Sequence, residues 1–146
     1  MRVALVTTEK NPPALRRLQG LDVRVQLQAP ERIESLERDT TDLVYLVPYA
    51  LLASAGWSEH RVRLARGSRF YVVFGEGLDT RSIMEAARDG AHDVLDLKGD
   101  ADDRWLDALE KATNAQALWW QLYGGQGGVD QQKLVGRSTA MKTLRE

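Results

Sequence analysis

Cysteine is absent from this chain. That excludes disulfides, thiolate metal sites and a cysteine nucleophile at once. Histidine is scarce. His60 and His92 are the two, far apart and without ligand spacing, and both read as surface residues rather than metal ligands. Neither sign of charge is in excess, since 20 basic residues meet 21 acidic ones for a net charge of -1. Bulk attraction to nucleic acid or to an anionic membrane is therefore not expected. No recognition-helix pattern or basic stripe suggests direct nucleic-acid contact either. No apolar run approaches a membrane span, and the start, Met1-Arg2-Val3-Ala4-Leu5-Val6, is too short for a signal peptide. A cytoplasmic protein with no membrane partner is expected. No G-x-G-x-x-G follows the first strand-like run, and no P-loop appears.

What is present is enough for a packed core. Of 146 residues, 43% are hydrophobic, which fits one domain plus an appendage. The organising stretch is Asp42-Leu43-Val44-Tyr45-Leu46-Val47-Pro48, preceded by the polar turn Asp39-Thr40-Thr41. A short, apolar, β-rich run of this kind reads as a strand buried on both faces of a parallel sheet. Further strands are expected at residues 2–6, 23–27, 70–74 and 94–97. Helix-like segments alternate with them. The first is capped by Asn11-Pro12, carries Leu15 and Leu18, and stops at Gly20. Pro30 opens the second, with Ile33 and Leu36 as its apolar stripe. Residues 49–57 are ambiguous between a helical turn and an apolar loop. Ser58 caps a basic helix through Arg66. Thr80 caps the next, with Ile83, Met84 and Ala87 inward and Gly90 as its stop. Asp102 begins the longest, which runs to about Tyr123.

Five βα units with right-handed crossovers place helices on both faces of the sheet. The natural solution is an α/β, flavodoxin-like fold of five parallel strands in the order 2-1-3-4-5. Ligands in such sheets sit at the carboxyl ends of the strands. Those ends present Thr7-Thr8-Glu9, Val47-Pro48-Tyr49, Gly75-Glu76-Gly77 and Leu97-Lys98. They hold no nucleophile–base pair and no phosphate loop, so an enzyme is not expected. A ligand-sensing pocket built on Glu9, Tyr49 and Glu76, beside Thr7, Thr8 and Gly75, is the alternative role for this end.

Two stretches carry a resemblance. Ala86-Ala87-Arg88-Asp89-Gly90-Ala91-His92-Asp93-Val94-Leu95 resembles the A-x-x-x-G-A-x-D-Y-L passage of bacterial response-regulator receiver domains, and Asp42-Leu43-Val44-Tyr45-Leu46 resembles their D-L-V-L-L third strand. The likeness covers residues 1–112 and implies a CheY-like fold. It also implies a site: acids after the first strand for Mg²⁺, an aspartate ending the third strand as phosphoacceptor, a Ser/Thr after the fourth and a Lys after the fifth. In this chain those positions fall on Thr7 and Thr8, Val47, Gly75 and Leu97, with Lys98 one residue late. Valine has no nucleophile, so no phosphoacceptor exists at Val47. The chain thus resembles a degenerate receiver.

Residues 113–129 contain no charge. Trp105, Ala108, Ala112, Ala115, Trp119 and Leu122 follow one another at spacings of three and four, the pattern of a coiled-coil seam. With Trp120 they form an expected helix-to-helix homodimer contact, the alternative being that this end folds back on its own domain, while Leu106 and Leu109 pack on the sheet. Gly124-Gly125-Gln126-Gly127-Gly128 reads as a flexible linker. Beyond it, Leu134-Val135-Gly136-Arg137-Ser138-Thr139-Ala140-Met141 is similar to the L-V-G-x-S-x-A-M opening of the AAA+ domain in sigma-54-dependent (NtrC-type) transcriptional activators. The expected organisation is a receiver-like domain at residues 1–112, a helical extension and linker at 113–130, and the start of a truncated AAA+ domain at 131–146. The resemblance implies a regulatory domain that controls dimerisation and assembly of a downstream AAA+ ATPase, with sigma-54 RNA polymerase as the eventual partner. It implies ATP and Mg²⁺ only for that missing ATPase, and no cofactor in this segment. The alternative is a ligand-sensing or protein-binding pseudo-receiver that acts without phosphorylation.

Overall fold

The structure, a computed structural model, describes residues 1–124. The expected linker residues 125–130 and the AAA+-like opening at 131–146 lie outside the described residues. In chain order the elements are β1 (Arg2–Val6), α1 (Pro13–Gln19), β2 (Arg24–Gln28), β3 (Leu43–Pro48), α2 (Tyr49–Leu52), α3 (Trp57–Arg66), β4 (Tyr71–Gly75), α4 (Thr80–Asp89), β5 (Asp93–Asp96) and α5 (Asp102–Trp119). A compact unit, Met1–Gln116, contains the whole sheet. A second unit begins at Ala117. Its described part is the last turn of α5 and a π-helical turn at Trp120–Gly124.

All strand pairings are parallel, and the order is β2-β1-β3-β4-β5, as expected. The alternation of side chains across the strands builds two cores. Val3, Leu5, Val44, Leu46, Val72 and Leu95 face the layer of α1 and α5, where Leu18, Trp105 and Leu109 meet them. Ala4, Val6, Tyr45, Val47, Tyr71 and Val73 face the opposite layer, where Trp57, Leu64 and Ala86 meet them. β3 is buried on both sides because it is the central strand and is covered by helices from both layers. β2 is an edge strand, which is why its Leu27 is exposed.

Several local expectations are corrected. No helix follows Pro30. Pro30–Arg32 is a single 3₁₀ turn, and Arg38–Thr40 is a second. Ile33 and Leu36 are still buried, but on an irregular connection. The buried Arg69 holds that connection in place. Its guanidinium donates to the carbonyls of Glu34, Ser35, Thr40 and Leu43 and to the Thr40 hydroxyl. Those bonds satisfy backbone acceptors that a helix would have paired internally. Gly67 has to be glycine there, since a Cβ would lie 2.7 Å from the Ser35 Cα. α3 starts at Trp57 with no side-chain cap, so Ser58 is not its cap. The cap of α4 is Asp79 rather than Thr80, and its carboxylate accepts from the Ser82 amide at 2.8 Å. The α1 cap is Pro12, not Asn11.

Two faces are also reversed. Ile83, Met84 and Ala87 of α4, expected inward, are exposed, and Ala86 is the buried residue of that helix. Trp105, Ala108 and Ala112, expected in a dimer seam, are fully buried in the α1–α5 core. Burial of a tryptophan there outweighs what a surface seam could return, because the sheet face is already present in the same chain. Gln116 completes the stripe as a fully buried polar residue. Its amide donates to the carbonyls of Thr41 and Leu43, and its Oε1 accepts from the Phe70 amide. His60 is buried too, stacked edge-on against Trp57 and accepting from the Arg63 guanidinium at Nδ1. His92 is exposed as expected.

Candidate functional site

Parallel strands bring Thr7, Val47, Gly75 and Leu97 to one end of the sheet, because each lies at or just beyond the carboxyl end of β1, β3, β4 or β5. Their chemistry is self-contained. The Thr7 Oγ1 accepts from the Glu9 amide at 3.0 Å and so closes the turn after β1. Thr8 and Glu9 are exposed. Val47 has no exposed surface and belongs to the β-sheet core that faces α3 and α4. The main chain of Leu97 is occupied at both ends. Its amide donates to the Gly75 carbonyl at 2.7 Å, and its carbonyl accepts from Arg17 at 2.6 Å.

Gly75 is where a hydroxyl would be needed for a receiver. A Cβ at this position would lie 2.7 Å from one methyl of Leu78 and 3.1 Å from its Cγ. Leu78 therefore occupies the space that a serine or threonine side chain would enter. Leu78 is in turn held from behind: its amide donates to Asp96 Oδ2 at 3.0 Å. The Asp96 carboxylate also accepts from the amides of Lys98 and Gly99, at 2.9 and 3.0 Å. These backbone donors hold its carboxyl at about 2, well below the usual carboxylate range. Asp96 thus binds the loop that leaves β4 to the loop that leaves β5. Arg17 closes the same loop from α1, donating to the Leu97 and Asp100 carbonyls and to Asp102 Oδ1.

The other expected pocket residues come together only in part: Glu76, Leu97 and Lys98 line one hollow with Arg17 of α1. Lys98 forms an ion pair with Glu76 at 2.8 Å, with both side chains largely in solvent. That pairing raises the lysine above its ordinary value and contributes little to stability. Tyr49 turns to α4 and donates to Glu85 Oε1 at 2.6 Å. The receiver resemblance implies Mg²⁺ here, and the residues do not fit it. Mg²⁺ favours carboxylate oxygens, whereas two threonine side chains, one buried valine and a lone exposed Glu9 stand at these positions. Among the described residues no group of three or more His, Asp or Glu could hold a metal ion. Sequence reasoning missed Asp96, Leu78 and Arg17. A strand-terminal aspartate followed three residues later by glycine was the available signal for Asp96, since such a carboxylate folds back on the next amides.

The sheet order, the two helical layers and loops gathered at the strand ends define the CheY-like receiver fold of response regulators. Solved structures share it. FixJ-N is similar at 19% identity over 77% of this chain and 93% of its own, with a TM-score of 0.59. A response regulator receiver protein from Pseudoalteromonas atlantica is similar at 18% identity over 79% of this chain and 98% of its own, TM-score 0.55. NtrX from Brucella abortus in complex with ADP is similar at 18% identity, TM-score 0.57. That match covers 99% of this chain and 33% of NtrX, so the chain spans about a third of that protein. At these identities the likeness establishes the fold. No protein-family model matches the sequence, and no curated protein matches it. No helix among the described residues is long and apolar enough to cross a membrane.

Proposed function

We propose that this chain is a receiver-like regulatory domain that works without phosphoryl transfer, in the N-terminal part of a sigma-54-dependent, NtrC-type transcriptional regulator. One observation carries the reading: the positions at which a receiver carries its acceptor, its hydroxyl and its lysine hold none of those groups. Phosphoryl transfer to a carboxylate requires an acceptor and a cation to offset concentrated negative charge. Here the acceptor position is the buried Val47, the hydroxyl position is Gly75 beneath Leu78, and the lysine position is Leu97.

The wider setting is supported by the order of parts. The likeness to NtrX extends over nearly the whole chain, and NtrX has been crystallised with ADP and with ATP. The sequence 134–141 resembles the opening of an AAA+ domain. The domain then acts by placement. The end of α5 holds two copies together and thereby controls assembly of a downstream ATPase. Ala115, Trp119, Trp120 and Leu122 are the seam residues that stay outside the sheet's core, and Trp119 and Leu122 are 43% and 56% exposed. Exposed apolar groups of this size favour association.

Sedimentation velocity on the 146-residue chain tests this directly. A dimer is expected, and the variant carrying Trp119→Glu and Leu122→Glu should sediment as a monomer. A monomeric parent, or a dimer that survives both changes, would overturn the seam. Reading the gene beyond the codon for Glu146 tests the setting. A G-x-x-x-x-G-K-[ST] motif is expected; a stop codon would remove the ATPase from the reading.

A further inference from the structure

α3 and α4 lie against the same face of the sheet and leave a groove between them. Its floor is made of Trp57 and Tyr71, both nearly buried, with ring centroids 5.7 Å apart. Two hollows occupy it, of about 350 and 370 Å³, and both are lined in part by Arg61 and Asp89. The first is walled by the apolar side chains of Val62, Leu64, Ala65 and Phe70. Val62 is 42% exposed there, although it sits at the mouth of an apolar cavity. The second adjoins Trp57 and Arg88.

The charges in this groove are unbalanced in a specific way. Its acids are already taken. Asp89 Oδ2 accepts from the Trp57 indole at 2.9 Å and from the Tyr71 hydroxyl at 2.6 Å. Glu85 accepts from the Tyr49 hydroxyl at 2.6 Å. Its cations are less fully committed. Arg61 reaches Asp89 only at 3.8 Å, and Arg88 is exposed and makes no ion pair among the described residues. An apolar hollow beside committed acids, a loosely paired Arg61 and an Arg88 with no ion pair among the described residues selects for negative charge beside an apolar anchor.

We infer that the α3–α4 groove is a docking site for an acidic protein segment that carries one large apolar side chain. The anchor enters the hollow beside Val62 and Phe70, and carboxylates on either side pair with Arg61 and Arg88. A hollow of this volume accepts one aromatic or branched side chain and leaves its flanks on the rim. Every lining residue lies within Met1–Gln116 and none is a seam residue or one of the receiver positions at the strand ends, so the site stands independently of both.

The test uses the 146-residue chain and a fluorescein-labelled, glutamate-rich peptide with one central phenylalanine, followed by anisotropy. Saturable binding that weakens as salt rises is expected. Two companion peptides, one with alanine for the phenylalanine and one with lysine for every glutamate, should bind far more weakly. The variant Arg61→Glu with Arg88→Glu should lose about tenfold or more in affinity. A variant with the same change in charge elsewhere, Lys10→Glu with Arg38→Glu, should bind as the parent does. All four side chains are exposed, so an unchanged circular dichroism spectrum is expected for both variants. Absence of binding, equal binding of the three peptides, or equal loss in the two variants would overturn the proposal.

Discussion

α4 and α5 flank the same strand, β5, yet they are held to the sheet by different physics. α5 is held by burial. Trp105, Ala108, Leu109, Ala112 and Gln116 form one fully buried stripe. α4 is held by polar contacts around a single small residue. Ala86 is its one buried side chain, while Asp89 receives Trp57 and Tyr71, and Glu85 receives Tyr49. The larger apolar residues of α4, Ile83 and Met84, are 44% and 50% exposed. A small residue at the contact lets the helix approach closely, and its acids then reach donors on the neighbouring elements. An apolar stripe therefore does not by itself say which face of a helix meets the core.

The largest expected effect sharpens that contrast. Trp105→Ala should destabilise the domain by about 3 to 5 kcal/mol, by loss of buried area and creation of a cavity, as read by urea denaturation. Asp89→Ala should cost less, about 1 to 3 kcal/mol, because it strands the Trp57 and Tyr71 donors rather than emptying a core. Burial and then Asp89 keep the Tyr71 hydroxyl above its ordinary value, so it stays protonated and has to donate.

A smaller, pH-dependent effect lies between the two helices. Asp96 joins the loop entering α4 to the loop entering α5, and its carboxyl is lowered from 3.8 to about 2. A carboxyl lowered on folding stabilises the protein above its unfolded value, and that contribution is lost as pH falls through the folded value. The stability difference between the parent and Asp96→Asn should therefore be constant near neutrality. It should shrink below pH 3.8 and vanish near pH 2, as followed by thermal melts across that range. The smallest effect is expected on the open face of α4. Met84→Ser should change stability by less than about 0.5 kcal/mol, and a loss comparable to Trp105→Ala would contradict the assignment of that face.

Much of this was legible in the sequence, and the gaps have physical causes. The strands could be read because β1, β3 and β4 are short apolar runs bounded by polar turns, while β2 shows itself by the alternation of Val23, Val25 and Leu27 with polar residues. Thr7, Val47 and Gly75 could be placed at one end of the sheet because each lies at or just beyond the carboxyl end of its strand. Pro30, Ile33 and Leu36 mimic a helix start and stripe. The structure there depends instead on Arg69, whose distant bonds no local pattern reveals. Gln116 is similar: its burial makes sense only once β3 and β4 are neighbours. The reversal of the two helix faces follows from the same limit. Periodicity locates a stripe, but tertiary packing decides what covers it.

The most direct measurement is intact-protein mass spectrometry after incubation of the 146-residue chain with Mg²⁺ and acetyl phosphate. If the strand ends lack acceptor and cation site alike, the mass is unchanged, and it stays unchanged at any donor concentration. A phosphoryl adduct that maps to the loops after β1, β3, β4 or β5 would contradict the reading of this domain as one that regulates without phosphoryl transfer.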